Sequence, residues 1–267
     1  MSFKYETCEQ AAEAGDLEEL KRMHQAGYPW DKWTCAAAAK NGHLECLKYA
    51  HSQGCEWDSW TPQSAAGNGY IECLRYAFEN GCEWNFNTPS AAAKNGQLEC
   101  LRFAFENGCP WNDFTCIYAS INGHLECLKY AYENGCQWNF LTPAHAGRNG
   151  QLDCLKYAYE NGCKLDGLVP AYSSGNYECF KFCFQVSNDQ QKFWNYAFNL
   201  IKIINKIDLD DPVWRRLFHI DLSKNPDLQE KVETKKKEIE ELKSASRKEL
   251  ESTLELDIIQ YCIHPLL

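Results

Sequence analysis

The fold is decided by the stretch Gly42-His43-Leu44-Glu45-Cys46-Leu47-Lys48-Tyr49-Ala50, which continues to Gly54-Cys55-Glu56-Trp57, because most of the chain consists of approximate copies of it. One glycine falls at 15, 42, 69, 96, 123 and 150, and a second at 27, 54, 81, 108, 135 and 162, so each step is 27 residues. Framed from a recurring threonine, the copies are 7–33, 34–60, 61–87, 88–114, 115–141 and 142–168. A seventh, degenerate copy follows up to residue 186. Such a period predicts a stack of small repeated units.

The sequence of each unit predicts a pair of helices followed by a loop. Thr88-Pro89 predicts the start of a first helix, helix A, with the threonine as its N-cap and the proline in its first turn. Asn95-Gly96 predicts its end, and a second helix, helix B, then runs from about Leu98 to Asn107. Neither helix is long enough to be stable alone, so stability must come from stacking. Alanine pairs on helices A allow a close approach between units; the pairs are Ala38-Ala39, Ala65-Ala66 and Ala92-Ala93.

The pattern Thr88-Pro89, Ala92-Ala93, Gly96 and Leu98-Glu99, followed by Gly108-Cys109, resembles the ankyrin repeat. Two features differ: the period is 27 rather than 33, and the histidine that follows Thr-Pro-Leu in that family is absent. The pattern is similar to the short, Cys- and Trp-rich ankyrin repeats of large DNA viruses and some protists. The resemblance implies an all-α fold, an α-solenoid of stacked helix-turn-helix repeats, and non-enzymatic binding of other proteins. Leucine-rich repeats have similar periods, but their strand motif is missing.

Composition and charge narrow the class of protein further. The chain has 267 residues, 45% of them hydrophobic, and a net charge of −10, so we expect a folded domain that repels nucleic acid. The start carries no signal-peptide pattern, and no apolar run approaches the ~18 residues that span a bilayer. We therefore expect a cytoplasmic protein, in the host cell cytoplasm if it is viral, without a membrane partner. The sixteen cysteines recur at repeat positions, which favours small buried residues over disulfides.

Repetition fades after residue 186, and the sequence predicts two parts: a repeat array over 1–186 and a C-terminal helical cap and tail over 187–267. The tail ends in an apolar amphipathic stretch over 254–267. This stretch weakly resembles the start of an F-box, although the expected proline is replaced by Glu255. Two interpretations stay open: a helix that caps the fold, or one that docks on a ubiquitin ligase through Leu254, Leu256, Ile258 and Ile259.

The sequence indicates no catalytic, cofactor or metal site. His43 and Cys46, like His124 and Cys127, have ligand-like spacing, but Tyr70, Gln97 and Gln151 replace the histidine in other copies. There is no phosphate-binding Gly-rich loop and no recognisable nucleophile with its base. We therefore expect a protein that is not an enzyme and binds no cofactor.

Binding is the better-supported function, because a solenoid displays specificity where side chains vary while the frame holds. We expect the partner-binding residues on helices A to be Lys40, Lys94, Ile117, Tyr118, Ile121, His145 and Arg148. The loops contribute the recurring aromatics Trp33, Trp60, Phe86, Phe114 and Phe140. The main hypothesis is a monomeric scaffold that holds another protein on the concave face of the array. The alternative is a substrate adaptor for a ubiquitin ligase, with a ligase linker subunit as second partner.

Overall fold

The structure, a computed structural model, describes residues 3–138, 141–163 and 176–186. The chain divides into two compact units, Met1–Lys164 and Leu165–Leu267. Every regular element in the described residues is an α-helix, which confirms the predicted all-α fold. The predicted boundary after Val186 stays a prediction, because the residues that follow it lie outside the described ones.

The first unit contains six helix pairs, one for each of the six regular repeats. Helices A are α1 Cys8–Glu13, α3 Lys32–Lys40, α5 Trp60–Asn68, α7 Asn87–Lys94, α9 Asp113–Asn122 and α11 Leu141–Arg148. Helices B are α2 Leu17–Gln25, α4 Leu44–Ser52, α6 Ile71–Glu79, α8 Leu98–Glu106, α10 Leu125–Glu133 and α12 Leu152–Glu160. Consecutive helices A from α1 to α11 contact each other, and each contacts the helix B of its own repeat. This arrangement confirms the predicted solenoid of helix-turn-helix units.

The start of helix A corrects one prediction. Helix α7 begins at Asn87, one residue before Thr88, and the Thr88 hydroxyl is buried without a hydrogen-bond partner among the described residues. The prediction that Thr88 caps the helix is therefore wrong. A side chain three residues earlier takes that place: Asn85 Oδ1 accepts from the N–H of Asn87 at 2.9 Å. Equivalent bonds, made by Asp31, Asp58 and Asn112, begin helices α3, α5 and α9. Among the residues that the structure describes, Thr7 of the first repeat is the one recurring threonine that accepts a helix amide, that of Gln10.

The predicted glycine stops are confirmed, and Gly96 shows how they work. Its φ is +74°, a left-handed conformation that glycine adopts at little cost. The turn lets the N–H of Gln97 donate to the carbonyl of Ala92 at 2.9 Å, which satisfies an acceptor at the end of α7. Helix B then begins at Leu98, so the glycine sets the angle between the two helices of a repeat.

The core is a repeated layer of three residues from each helix B. In α8 these are Cys100, Leu101 and Ala104, which are at most 1% exposed. Between helices A, alanines such as Ala65 and Ala66 are fully buried, as the sequence predicted. A buried leucine contributes about 1.5–3 kcal/mol, so a row of six equivalent leucines carries much of the stability. The row consists of Leu20, Leu47, Leu74, Leu101, Leu128 and Leu155, all 0% exposed.

The first repeat is closed by the chain that precedes it. Glu19 stands where later repeats have a buried cysteine, and it is only 5% exposed. Its carboxylate accepts from the backbone N–H of Lys4 at 2.7 Å and from the guanidinium of Arg22. The Phe3 ring lies 4.8 Å from that of Tyr28. The end unit is thus polar in sequence, yet its central carboxylate is buried and bonded rather than solvated.

The second unit is described only over 176–186. It holds helix α13, Tyr177–Val186, in which Cys179 and Cys183 are buried. This helix corresponds to the second half of the degenerate seventh copy. The helices predicted after residue 186 lie outside the described residues.

Candidate functional site

One face of each helix A, the A face, carries residues at relative positions i, i+4 and i+7, which lie on the same side of a helix. In α3 these are Trp33, Ala37 and Lys40, and the corresponding residues of later repeats complete the face: Trp60, Ser64 and Gly67; Asn87, Ala91 and Lys94; Phe114, Tyr118 and Ile121; Leu141, His145 and Arg148. The first position is exposed in all five repeats. The A face is therefore continuous from α3 to α11, since consecutive helices A are in contact.

Large apolar side chains lie exposed along one edge of the A face. Trp33 is 41% exposed, Trp60 46% and Phe114 47%. The Trp33 and Trp60 rings contact each other, with centroids 5.9 Å apart, and Phe114 lies 5.8 Å from Tyr118. Phe86, also exposed, sits one position earlier, at the start of α7. Phe140 lies outside the described residues.

The predicted helix A residues divide into three groups. Lys40, Lys94 and Arg148 are exposed, whereas Tyr118, Ile121 and His145 are partly exposed. Ile117 is only 4% exposed, so its placement among the partner-binding residues is corrected. It occupies the repeat position of Ser90, a buried residue between neighbouring helices A, and fills the core instead.

The cations of the A face differ in their partners. The Lys40 ammonium lies 4.0 Å from the Glu13 carboxylate of the preceding repeat. The Lys94 ammonium lies 6.0 Å from the centre of the Tyr118 ring, a cation–π contact with the next repeat. Neither Lys94 nor Arg148 forms an ion pair with any residue in the described parts of the chain.

A second set of aromatic side chains, the aromatic ladder, packs between repeats. These contacts were not predicted from the sequence. Trp84 stacks on Phe78 of its own repeat at 4.4 Å and meets Phe103 of the next repeat edge-on at 6.2 Å. The same triplet recurs with Trp30, Trp57, Trp111 and Trp138. The signal was present: an aromatic or histidine precedes each tryptophan by six residues, at 24, 51, 78, 105 and 132.

Two histidines take part in this ladder. His51 stacks on Trp57 at 3.7 Å, and its Nδ1 lies 3.0 Å from the Tyr76 hydroxyl of the next repeat. Burial lowers the pKa of His51, so the ring is neutral at physiological pH. His24 makes the same contacts with Trp30 and Tyr49. These histidines pack between repeats rather than face a cleft.

The histidines with ligand-like spacing also pack between repeats. The His43 ring covers Gly15 so closely that a Cβ there would lie 2.5 Å from Nδ1, and Nε2 lies 3.1 Å from the Glu13 carbonyl. His124 covers Gly96 in the same way. Within the described residues, no group of three His, Cys, Asp or Glu side chains could hold a metal ion.

Ten of the cysteines form two buried rows, one on helices B and one in the loops that follow them. Burial raises the pKa of the Cys100 thiol to about 12, so the thiol stays protonated and behaves as a small apolar group. The second row ties loops of adjacent repeats together. Cys55 Sγ donates to the Asp31 carbonyl at 3.1 Å, and the equivalent bonds come from Cys82, Cys109 and Cys136. None of the cysteines that the structure describes forms a disulfide.

The predicted ligase-docking residues Leu254, Leu256, Ile258 and Ile259 lie outside the described residues. Among the residues that are described, none of the helices combines the length and the apolar character needed to cross a bilayer.

Comparisons with known proteins agree with this geometry. A family model described as ankyrin repeats matches residues 90–168, in three copies. The crystal structure of the human ASB11 ankyrin repeat domain is similar, with a TM-score of 0.53 and 17% identity, over 72% of this chain and 98% of that chain. No curated protein matches the sequence significantly. Residues 90–168 are therefore ankyrin repeats, and the six helix pairs of the first unit form a stack with the ankyrin-repeat fold.

Proposed function

We propose that this protein is a non-enzymatic scaffold that holds a partner protein on the A face. Ankyrin repeats are protein–protein interaction modules, and the A face is where this array leaves large apolar side chains uncovered. The observation that carries the proposal is the exposure of Trp33, Trp60 and Phe114 in one row, at 41%, 46% and 47%. Exposed apolar side chains that lie together on a protein surface, as Trp33 and Trp60 do, typically mark an interaction site.

The contrast with the aromatic ladder supports this assignment. Trp57 and Trp84 are stacked on rings of their own repeat and covered by the next one, so their recurrence is explained by packing. Trp60 lies at the start of helix A, with its ring against Trp33 alone among the aromatic rings described. Packing within the repeat does not explain a row of such residues, whereas binding to a partner does.

Residues at the far end of the A face supply specificity. Tyr118, His145 and Arg148 differ from their counterparts in other repeats, and all three reach the surface. Aromatic and arginine side chains are the types that contribute most to binding energy in interfaces. The predicted location on a concave surface is part of the same proposal.

The test is partner capture by a triple variant, Tyr118→Ala, His145→Ala and Arg148→Ala. Tagged full-length protein and the variant are cross-linked in cell lysate, and the bound proteins are identified by mass spectrometry. We expect the variant to keep its thermal midpoint within a few degrees and to lose its partner, because these side chains contribute little to the core. A matched control replaces Tyr159, Lys48 and Lys129 on helices B with alanine and should retain the partner. Equal capture by both variants refutes the A face as the binding surface.

The ligase-adaptor function rests on the sequence of residues 254–267 alone. Its test is a pull-down with purified ligase linker subunit, comparing the intact chain with a chain that lacks 254–267. Binding by the intact chain only is the expected result, and no binding by either chain refutes it. The monomeric state and the absence of nucleic-acid binding likewise stay predictions.

A further inference from the structure

We propose that the A face takes an acidic, extended segment of its partner, whose apolar side chains contact the exposed aromatics and whose carboxylates pair with Lys94 and Arg148. This inference rests on the proposed function, because it names the occupant of the same face. It is carried by the distribution of cations in a chain whose net charge is −10.

Most cations on helices B have partners within the protein; the exception among the described residues is Lys156 of α12, which forms no ion pair there. Lys21, Lys48 and Lys129 each lie 2.8 Å from the carboxylate of a glutamate one turn earlier. Arg75 and Arg102 lie over the Phe103 and Tyr130 rings of the next repeat, at 4.9 and 5.1 Å. These side chains have partners of their own and offer little to an incoming acid.

Cations on the A face have longer contacts within the protein, and the Lys94 ammonium lies 6.0 Å from the centre of the Tyr118 ring. These cations occupy the i+7 position in alternate repeats, as Lys40, Lys94 and Arg148. Lys40 faces Glu13 at 4.0 Å, but Lys94 and Arg148 form no ion pair within the described residues. The carboxylates at the opposite end of helices A are engaged, since Asp31 and Asp58 accept helix amides and Asp58 also pairs with Lys32 at 2.8 Å. The exposed aromatic side chains thus lie near the start of helices A, and the cations lie about two turns later on the same face.

Between these two edges the side chains are short in α3, α5 and α7 and large in α9 and α11, where Tyr118 and His145 stand. The i+4 position holds Ala37, Ser64 and Ala91 in α3, α5 and α7, and then Tyr118 in α9. Rings stand on one side of this strip and lysines on the other, so a segment lying along it meets apolar surface and positive charge together. Helices packed about 8–10 Å apart place five helices A over roughly 40 Å, which an extended segment of about 12 residues spans.

The test is a display selection of random peptides of about 12 residues on the immobilised full-length chain, followed by binding measurements with the most enriched peptide. We expect peptides with net negative charge and several aromatic or aliphatic residues. A double variant, Lys94→Glu with Arg148→Glu, should weaken binding about tenfold or more, because close charge pairs become repulsive. Trp33→Ala with Trp60→Ala should weaken it at least as much. Raising NaCl from about 0.05 to about 0.5 M should also weaken it.

The matched control is Lys48→Glu with Lys129→Glu, the same charge change on helices B, which should alter the dissociation constant less than about twofold. A cation in the last turn of a helix also suits the helix dipole, so thermal midpoints are compared to separate binding from folding. A peptide with lysines in place of its acids should bind the Lys94→Glu, Arg148→Glu variant better than the parent.

The outcomes separate the two proposals. Enriched peptides that are basic or neutral, but still lose binding on Trp33→Ala with Trp60→Ala, overturn the acidic occupant and leave the A face as the interaction surface. Peptides whose binding ignores every A-face substitution, or no enriched peptide at all, overturn both proposals. Acidic peptides that bind the Lys94→Glu, Arg148→Glu variant as tightly as the parent also overturn the acidic occupant.

Discussion

Replacing Thr88 with valine should stabilise the protein, although threonine recurs at this position in all six repeats. The Thr88 side chain is 0% exposed, and its hydroxyl has no hydrogen-bond partner within the described residues; Thr61 and Thr142 are in the same state. Valine keeps the volume and the branching at Cβ, and its helix propensity is close to that of threonine. The substitution therefore removes an unsatisfied polar group with little else changed.

The magnitude follows from the cost of burying a hydroxyl without a partner, about 1–3 kcal/mol. We expect Thr88→Val to raise the free energy of unfolding by about 1 kcal/mol, at the low end of that range. For a chain of this size, that corresponds to a rise of roughly 2–4 °C in the thermal midpoint. Substitution at Thr61, Thr88 and Thr142 together should add up approximately, because each lies in a different repeat.

The chain supplies its own control at Thr115, the equivalent residue of the fifth repeat. Ser90 Oγ donates its single hydrogen to the Phe86 carbonyl at 2.7 Å, so the Thr115 hydroxyl, 3.3 Å from Ser90 Oγ, must be the donor in that pair. Thr115→Val removes this bond and should lower the free energy of unfolding by about 1 kcal/mol. Urea titration followed by circular dichroism measures both variants. Equal destabilisation by Thr88→Val and Thr115→Val would refute the reasoning.

Three further predictions use equally local contrasts. Gly96→Ala should lower the urea midpoint more than Gly108→Ala. Both glycines have a left-handed φ, +74° and +78°, so the backbone strain is similar. However, a Cβ at Gly96 would lie 2.6 Å from His124 Nδ1, whereas a Cβ at Gly108 would meet no atom within 4 Å. Burial lowers the pKa of His51, so the unfolded state binds more protons than the folded state, and the free energy of unfolding should fall as the pH drops below about 6.5. His51→Phe introduces the residue found at the equivalent position 78. The urea midpoint of this variant should change less between about pH 7.5 and about pH 5 than that of the parent protein. Glu19→Ala removes the acceptor for the Lys4 N–H, and amide hydrogen exchange should quicken by about tenfold or more over α1 and α2 while α8 to α12 stay protected; uniform loss of protection would contradict this local role.

Much of the fold could be predicted from the sequence because its determinants are local and repeated. Gly96 and Gly108 mark helix ends whatever surrounds them, since the left-handed conformation excludes most other residues. The spacing of Cys100, Leu101 and Ala104 fixes which face of α8 is buried, and the same spacing in other copies extends the result along the array. A correct prediction for one repeat therefore extends to the whole array of repeats.

The errors arose where a residue has two roles that the sequence cannot distinguish. Thr88 before Pro89 is a good N-cap pattern, but Asn85 also offers a capping side chain, and a helix that starts one residue earlier uses it instead. Trp57 has a tryptophan counterpart in four other repeats and Trp60 has one, Trp33, yet Trp57 is stacked in the ladder and Trp60 is exposed. The difference lies in contacts between repeats, which depend on the angle between helices and not on the period.

Variation between copies is therefore an incomplete guide to a binding surface. The residues at 43, 70, 97, 124 and 151 vary as His, Tyr, Gln, His and Gln, but all five side chains cover a glycine of the preceding repeat. Tyr70 does so over Gly42 while it remains 40% exposed. On the A face, in contrast, the variable residues Lys94 and Arg148 have no ion-pair partner in the described part of the chain. Variation indicates binding only where packing between repeats does not account for the side chain, and Arg148 meets that condition, since it has no ion pair or cation–π contact among the described residues.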